Sequence, residues 1–134
     1  MTDSEFVRAF EACELSNESF HHRDHIRLAW IYLQRYGVAD ATIRIAASIR
    51  NFATHHGKSD KYHQTVTVAW MKLLEQIPVH ASFAEAVAAF PQILSKDYLR
   101  EFYSDELLAS NAARVDFMEP DRRPLALPAA PVVK

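Results

Sequence analysis

The run Phe20–His21–His22–Arg23–Asp24–His25–Ile26–Arg27–Leu28–Ala29–Trp30–Ile31–Tyr32–Leu33–Gln34–Arg35–Tyr36–Gly37 has the apolar spacing of a helix and not of a strand. At about 100° per residue, Ile26, Ala29, Trp30 and Leu33 fall on one face. His22 lies in the middle of that arc, and His25 lies on its flank beside Tyr32. Asn17 or Ser19 upstream can cap this helix, and Gly37 stops it.

The neighbouring segments repeat the pattern. Residues 39–55 carry an Ile45, Ile49 and Phe52 stripe and end before Gly57. Residues 3–14 place Phe6, Phe10 and Cys13 on one line. Ser59 can cap a further helix over 59–77, with Asp60 against its dipole and Pro78 as its stop. Ser82–Phe83–Ala84–Glu85 reads as a capping box that opens a helix burying Phe83, Val87 and Phe90 before Pro91. One or two shorter helices follow within 96–118, with Leu99, Phe102, Tyr103 and Leu107 apolar. Only two glycines occur in 134 residues, and only two prolines, Pro78 and Pro91, precede residue 119. So few breakers predict an all-α antiparallel bundle of about four main helices plus shorter C-terminal ones. Residues 1–118 form the single domain. Residues 119–134 hold four prolines and read as an irregular tail, mobile or laid along the bundle.

Composition narrows the class of function. The chain is 49% hydrophobic and 24% charged, with a net charge of −2 and a pI near 6.4, which weighs against nucleic acid as a partner. No apolar run nears the ~20 residues of a membrane span. Cys13 is the only cysteine and points to a reducing compartment. The polar, acidic start of the chain lacks the order of a signal peptide. A cytoplasmic protein, with room for a homodimer, is the expectation.

The histidines carry the chemistry. Antiparallel neighbours bring the starts of the second and fourth helices to the end where the third finishes. Six of the seven histidines, all but His80, then share one end of the bundle. His22 and His25 are one turn apart, with Cβ atoms roughly 5–6 Å from each other, and both can reach one ion. His63, inward on the helix two places on, can complete a three-histidine site at a packing distance of about 8–10 Å. His56 and Thr67 are candidates to support that site from behind, and Tyr62 is the candidate proton donor. Zn or Ni suits such imidazoles best, with Fe or Mn as alternatives. An open coordination position would make the protein a metal-dependent enzyme, a hydrolase or transferase acting on a small molecule. The competing readings are a non-catalytic module binding a metal or small ligand, and a hydrogen-bonded core cluster without metal.

Other residues carry weaker signals. Cys13 reads as a small buried hydrophobe before it reads as a ligand. Glu14 or Glu18 could supply a carboxylate, and Arg114 could meet an anion or Asp116. His21 faces away from the core, and His55 borders it. Arg50 and His55 match the R-x4-H spacing of HEPN-type ribonucleases, which gives a third, metal-free reading. The order His21–His22–Arg23–Asp24–His25 departs from that of HD-type phosphohydrolases, where Asp follows His directly. Leu28–Ala29–Trp30 and Val68–Ala69–Trp70 are an echo, not a repeat.

Phe20–His21–His22–Arg23–Asp24–His25 with Ala29–Trp30, and Lys61–Tyr62–His63–Gln64–Thr65–Val66–Thr67 with Ala69–Trp70, resemble the motifs of a family of small bacterial proteins. Tyr103–Ser104 and Glu119–Pro120–Asp121 extend that resemblance over nearly the whole chain. It marks His22, His25, Tyr62, His63, Thr65 and Thr67 as motif positions and implies no established activity. At fold level only, a three-histidine site in a small bundle is similar to DinB-like metalloproteins, whose motif spacing is not matched here.

Overall fold

Gly37 alone separates two helices, α2 (His22–Tyr36) and α3 (Val38–His55). Its φ of 77° and ψ of 165° lie in a region that is essentially glycine-only. There its N–H closes α2 on the Leu33 carbonyl at 3.1 Å, while its own carbonyl accepts from Ala41 N at 2.8 Å to start α3. The chain reverses in a single residue, so α2 and α3 pack antiparallel along their length. These features come from a computed structural model, which describes residues 1–78 and 82–128. The calls on His80 and on tail residues 129–134 lie outside the described residues.

Helix α1 (Asp3–Glu11) precedes this pair; α4 (Gln64–Leu74) and α5 (Phe83–Ala89) follow it, then 3₁₀ turns at Pro91–Leu94 and Lys96–Glu101 and the short helices α6 (Asp105–Ala109) and α7 (Asn111–Val115). No strand occurs among the described residues, and the all-α expectation holds. Helix α2 is central: Ile26, Leu28, Ala29, Trp30, Ile31 and Tyr32 are all buried, well beyond the single face that its spacing marks. The Tyr32 hydroxyl donates to the Glu11 carboxylate and lies 2.9 Å from Ser48 Oγ, tying α1, α2 and α3 together. No helix of the described residues is long and apolar enough to cross a membrane.

Helix boundaries shift from the sequence reading for local reasons. Helix α2 starts at His22, later than Asn17 or Ser19 suggest, because the Asp24 carboxylate accepts from His21 N at 2.9 Å and fixes the start there. Helix α1 stops at Glu11 in a Schellman motif. Glu14 N donates to Ala9 O and Cys13 N to Phe10 O, both at 2.9 Å, with Cys13 at φ 58° in the position where glycine is usual. Cys13 is therefore not on a helical stripe. Ser59 opens only a 3₁₀ turn, Ser59–Lys61; Tyr62 is extended, and His63 caps α4 in its place. Ser82 does cap α5, accepting from Glu85 N at 3.2 Å.

Residues 119–128 form no helix, and the chain from Asp116 to Leu127 is strapped to the bundle. Thr65, fully buried, donates to Asp116 O at 2.9 Å and accepts from Met118 N at 3.0 Å. The buried Tyr103 hydroxyl donates to Met118 O at 2.8 Å. Ser104 holds the Asp121 carboxylate, Arg122 N donates to Phe102 O, and Gln76 brackets the strap between Leu125 O and Leu127 N.

Candidate functional site

The chemistry-bearing residues are sorted by a cleft of about 760 Å³ that lies between α2, α3 and α4 under the segment of 96–109. Ile26, Ala29, Ile45, Ile49 and Val66 make its walls apolar, and Trp70 and Leu108 add to them. His22, His25 and Thr67 bring polar atoms into that lining, and Lys96, Asp97, Arg100 and Asp105 bring charges.

His22 places its ring against Trp70, centroids 5.0 Å apart, with Nε2 at 3.0 Å from the Ile93 carbonyl. A carbonyl oxygen only accepts, so the ring proton sits on Nε2 and Nδ1 keeps a lone pair. Burial lowers the pKa of His22, the Ile93 bond opposes that, and Lys96 lowers it further. One turn on, His25 packs on Phe20 at 4.3 Å. Burial pushes it down to about 4, His22 adds to the shift, and Asp24 opposes it. Both imidazoles are uncharged at neutral pH. The His25 ring makes no hydrogen bond among the described residues, where no sealed side-chain nitrogen or oxygen lacks a partner, so its ring nitrogens are open to solvent space.

His63 belongs to a different construction. Its Nδ1 accepts from Val66 N at 3.2 Å as the cap of α4, and its Nε2 donates to Leu108 O at 2.7 Å. Both ring nitrogens are occupied, leaving no lone pair for an ion. The expected meeting of His22, His25 and His63 at one point is thus corrected: His22 and His25 share the cleft, and His63 is not among the residues lining it. Register explains the separation. His22 faces Trp70, seven positions beyond His63, which is roughly 10 Å along a helix axis. Among the described residues, no three His, Cys, Asp or Glu side chains come together so that they could hold a metal ion.

The remaining candidates divide between cleft and scaffold. Thr67 lines the cleft, its hydroxyl donating to His63 O at 2.9 Å. Tyr62 does not line it: the phenol donates to Gln64 Oε1 at 2.5 Å under the Arg50 guanidinium, and burial raises its pKa. His56 donates from Nε2 to Leu15 O at 3.1 Å and packs its ring, tilted, against Phe52, pinning the loop after α1. Arg50 and the exposed His55 are five residues apart on one continuous helix, about 140° round its axis, and neither lines the cleft. Cys13 Sγ accepts from Asn51 Nδ2 at 3.4 Å, Glu14 and Glu18 are exposed, and Arg114 donates to Asp60 O and Asn111.

Sequence reasoning misses the lid of the cleft. Lys96, Arg100 and Leu108 sit on 3₁₀ turns and a five-residue helix, which are too short to show a 3.6-residue period. The chain gives no significant match to protein-family models, to curated proteins or to solved structures.

Proposed function

We propose that this protein is a binding module for a small, mostly apolar molecule held in the cleft between α2, α3 and α4. The observation that carries the reading is two uncharged imidazoles, His22 and His25, in the lining of an apolar cleft of about 760 Å³. Small-molecule sites have this form: concave, apolar, and carrying a few placed polar groups. The test uses N-phenyl-1-naphthylamine, a neutral dye that brightens in apolar sites. Saturable binding of about one dye per chain is expected, lost when Ile49→Trp fills the cleft of a variant that still shows a helical circular dichroism spectrum. Dye fluorescence that never saturates, or that Ile49→Trp leaves unchanged, would remove the reading.

A second reading keeps a metal ion, Zn or Ni, on His22 and His25, as a metal-binding module or a metal-dependent hydrolase or transferase. One observation favours it: the Ile93 carbonyl fixes the His22 proton on Nε2 and frees Nδ1, as backbone carbonyls do behind metal-ligating imidazoles. Solvent or substrate would fill the other positions. Calorimetric titration of tag-free protein with Zn and Ni tests it, with binding retained in His63→Ala and lost in His22→Phe. Absence of binding by the unmodified chain ends this reading.

A further inference from the structure

The polar atoms of the cleft lining specify a ligand class, an inference that rests on the small-molecule reading above. Two uncharged polar groups of the lining have their protons already committed. His22 spends its Nε2–H on Ile93 O, so Nδ1 can only accept. Thr67 spends its hydroxyl proton on His63 O, so its oxygen likewise offers lone pairs. His63 O and Leu108 O are both engaged through His63 and Thr67 and fix this polarity from behind. His25 is neutral, with one donor and one acceptor nitrogen, and adapts to either demand.

Charge does not reverse the preference. Arg100 pairs with Asp105 at 3.1 Å in an exposed ion pair, and Asp97 adjoins Lys96 in sequence. Two cations and two carboxylates leave this part of the lining near neutrality. A carboxylate or phosphate would meet lone pairs at Nδ1 of His22 and at Thr67; Lys96, whose charge is felt at His22, is the lining cation outside an ion pair among the described residues, and the carboxylates of Asp97 and Asp105 balance the net charge. We infer that the cleft takes an apolar, ring-sized molecule carrying a hydrogen-bond donor, a hydroxyl or an N–H, which it gives to Nδ1 of His22.

Calorimetry on the full chain with three probes of one shape tests this at neutral pH: 2-naphthol, 2-methylnaphthalene and 2-naphthoate. The naphthol is expected to bind about tenfold more tightly than the other two, the effect of one net hydrogen bond. In His22→Phe, which keeps an aromatic ring beside Trp70 and removes the nitrogen, the naphthol should fall to the level of 2-methylnaphthalene. A second readout needs no variant: the ¹⁵N resonance of His22 Nδ1 should move when naphthol is added and stay in place with 2-methylnaphthalene. Tightest binding of naphthoate, equal binding of naphthol and 2-methylnaphthalene, or an unmoved Nδ1 resonance with naphthol bound would each overturn the donor assignment while leaving the cleft a binding site. Failure of all three probes to bind would overturn the binding reading and this inference together.

Discussion

His63 shows how far a single residue can be read from sequence. Its inward position at the start of a helix makes it look like a ligand, and nothing in the spacing says otherwise. The partners that settle its role are the Val66 amide and the Leu108 carbonyl, and those of His22 and His56 are the carbonyls of Ile93 and Leu15. Backbone partners leave no mark in the identity of the residue that supplies them, so sequence could point to the inward histidines but not to the atom each ring serves. His63→Ala should cost about 2 kcal/mol, a lost cap plus a half-buried carbonyl left unpaired, read as a lower urea midpoint at unchanged slope. His63→Asn restores the cap and should recover about half of that loss. His25 gives a pH test. Its pKa falls from the ordinary imidazole value to about 4 on folding, so the unfolded chain binds the proton first as pH drops. Stability is full above about pH 6.5 and declines between there and about pH 4, by roughly 3 kcal/mol in total. His25→Phe should flatten that slope in urea titrations across the same window; an unchanged slope would assign it to other groups.

At the scale of elements, the helices were legible and their ends less so. The apolar stripe of Ile45, Ile49 and Phe52 falls within α3 as read, and α4 lies within the span 59–77. The start of α4 was not, because Ser59 and His63 both offer a capping atom and only tertiary contact with Leu108 favours the second. The two glycines were legible as stops, and both take a positive φ, 77° at Gly37 and 68° at Gly57. Gly37 at φ 77°, ψ 165° needs glycine for its backbone, since an added Cβ would meet nothing within 4 Å. Gly37→Ala should therefore cost about 1–3 kcal/mol from backbone strain alone, with α2 and α3 retained in the circular dichroism spectrum. Cys13 is the reverse case, a side chain at φ 58° where α1 ends in a Schellman motif. Cys13→Gly should raise stability by a few tenths to about 1 kcal/mol, offset in part by the greater freedom of glycine in the unfolded chain and by loss of the weak Asn51–Sγ contact. A lower melting temperature would show that the sulfur contact outweighs the strain.

For the whole molecule, the question the sequence left open is whether the proline-rich tail belongs to the fold. Prolines remove amide donors and helical period, so composition shows that the tail is irregular and is silent on where it lies. The structure ties the segment from Met118 to Leu127 down at three depths. Closest to the core, Met118 satisfies two buried hydroxyls, accepting from Tyr103 and donating to Thr65. Further out, Asp121 and Arg122 bind Ser104 and Phe102 O, and Arg123 pairs with Glu101 at 2.8 Å. Last, Leu125 and Leu127 pack half-buried beside Gln76. These depths set an order of cost. Ending the chain after Arg123 removes the outermost layer and keeps every bond made by Met118. Ending it after Phe117 leaves the buried Tyr103 phenol without its acceptor, at about 1–3 kcal/mol, removes the Met118 donor from Thr65, which keeps its bond to Asp116 O, and removes all outer contacts. Since ~1 kcal/mol moves the melting point of a domain this size by a few degrees, the 1–117 chain should melt more than ~10 °C below the intact protein, and the 1–123 chain should lie between them. Equal melting points for both truncations would mean that the stabilisation comes from beyond Arg123 and that the Met118 contacts contribute nothing measurable.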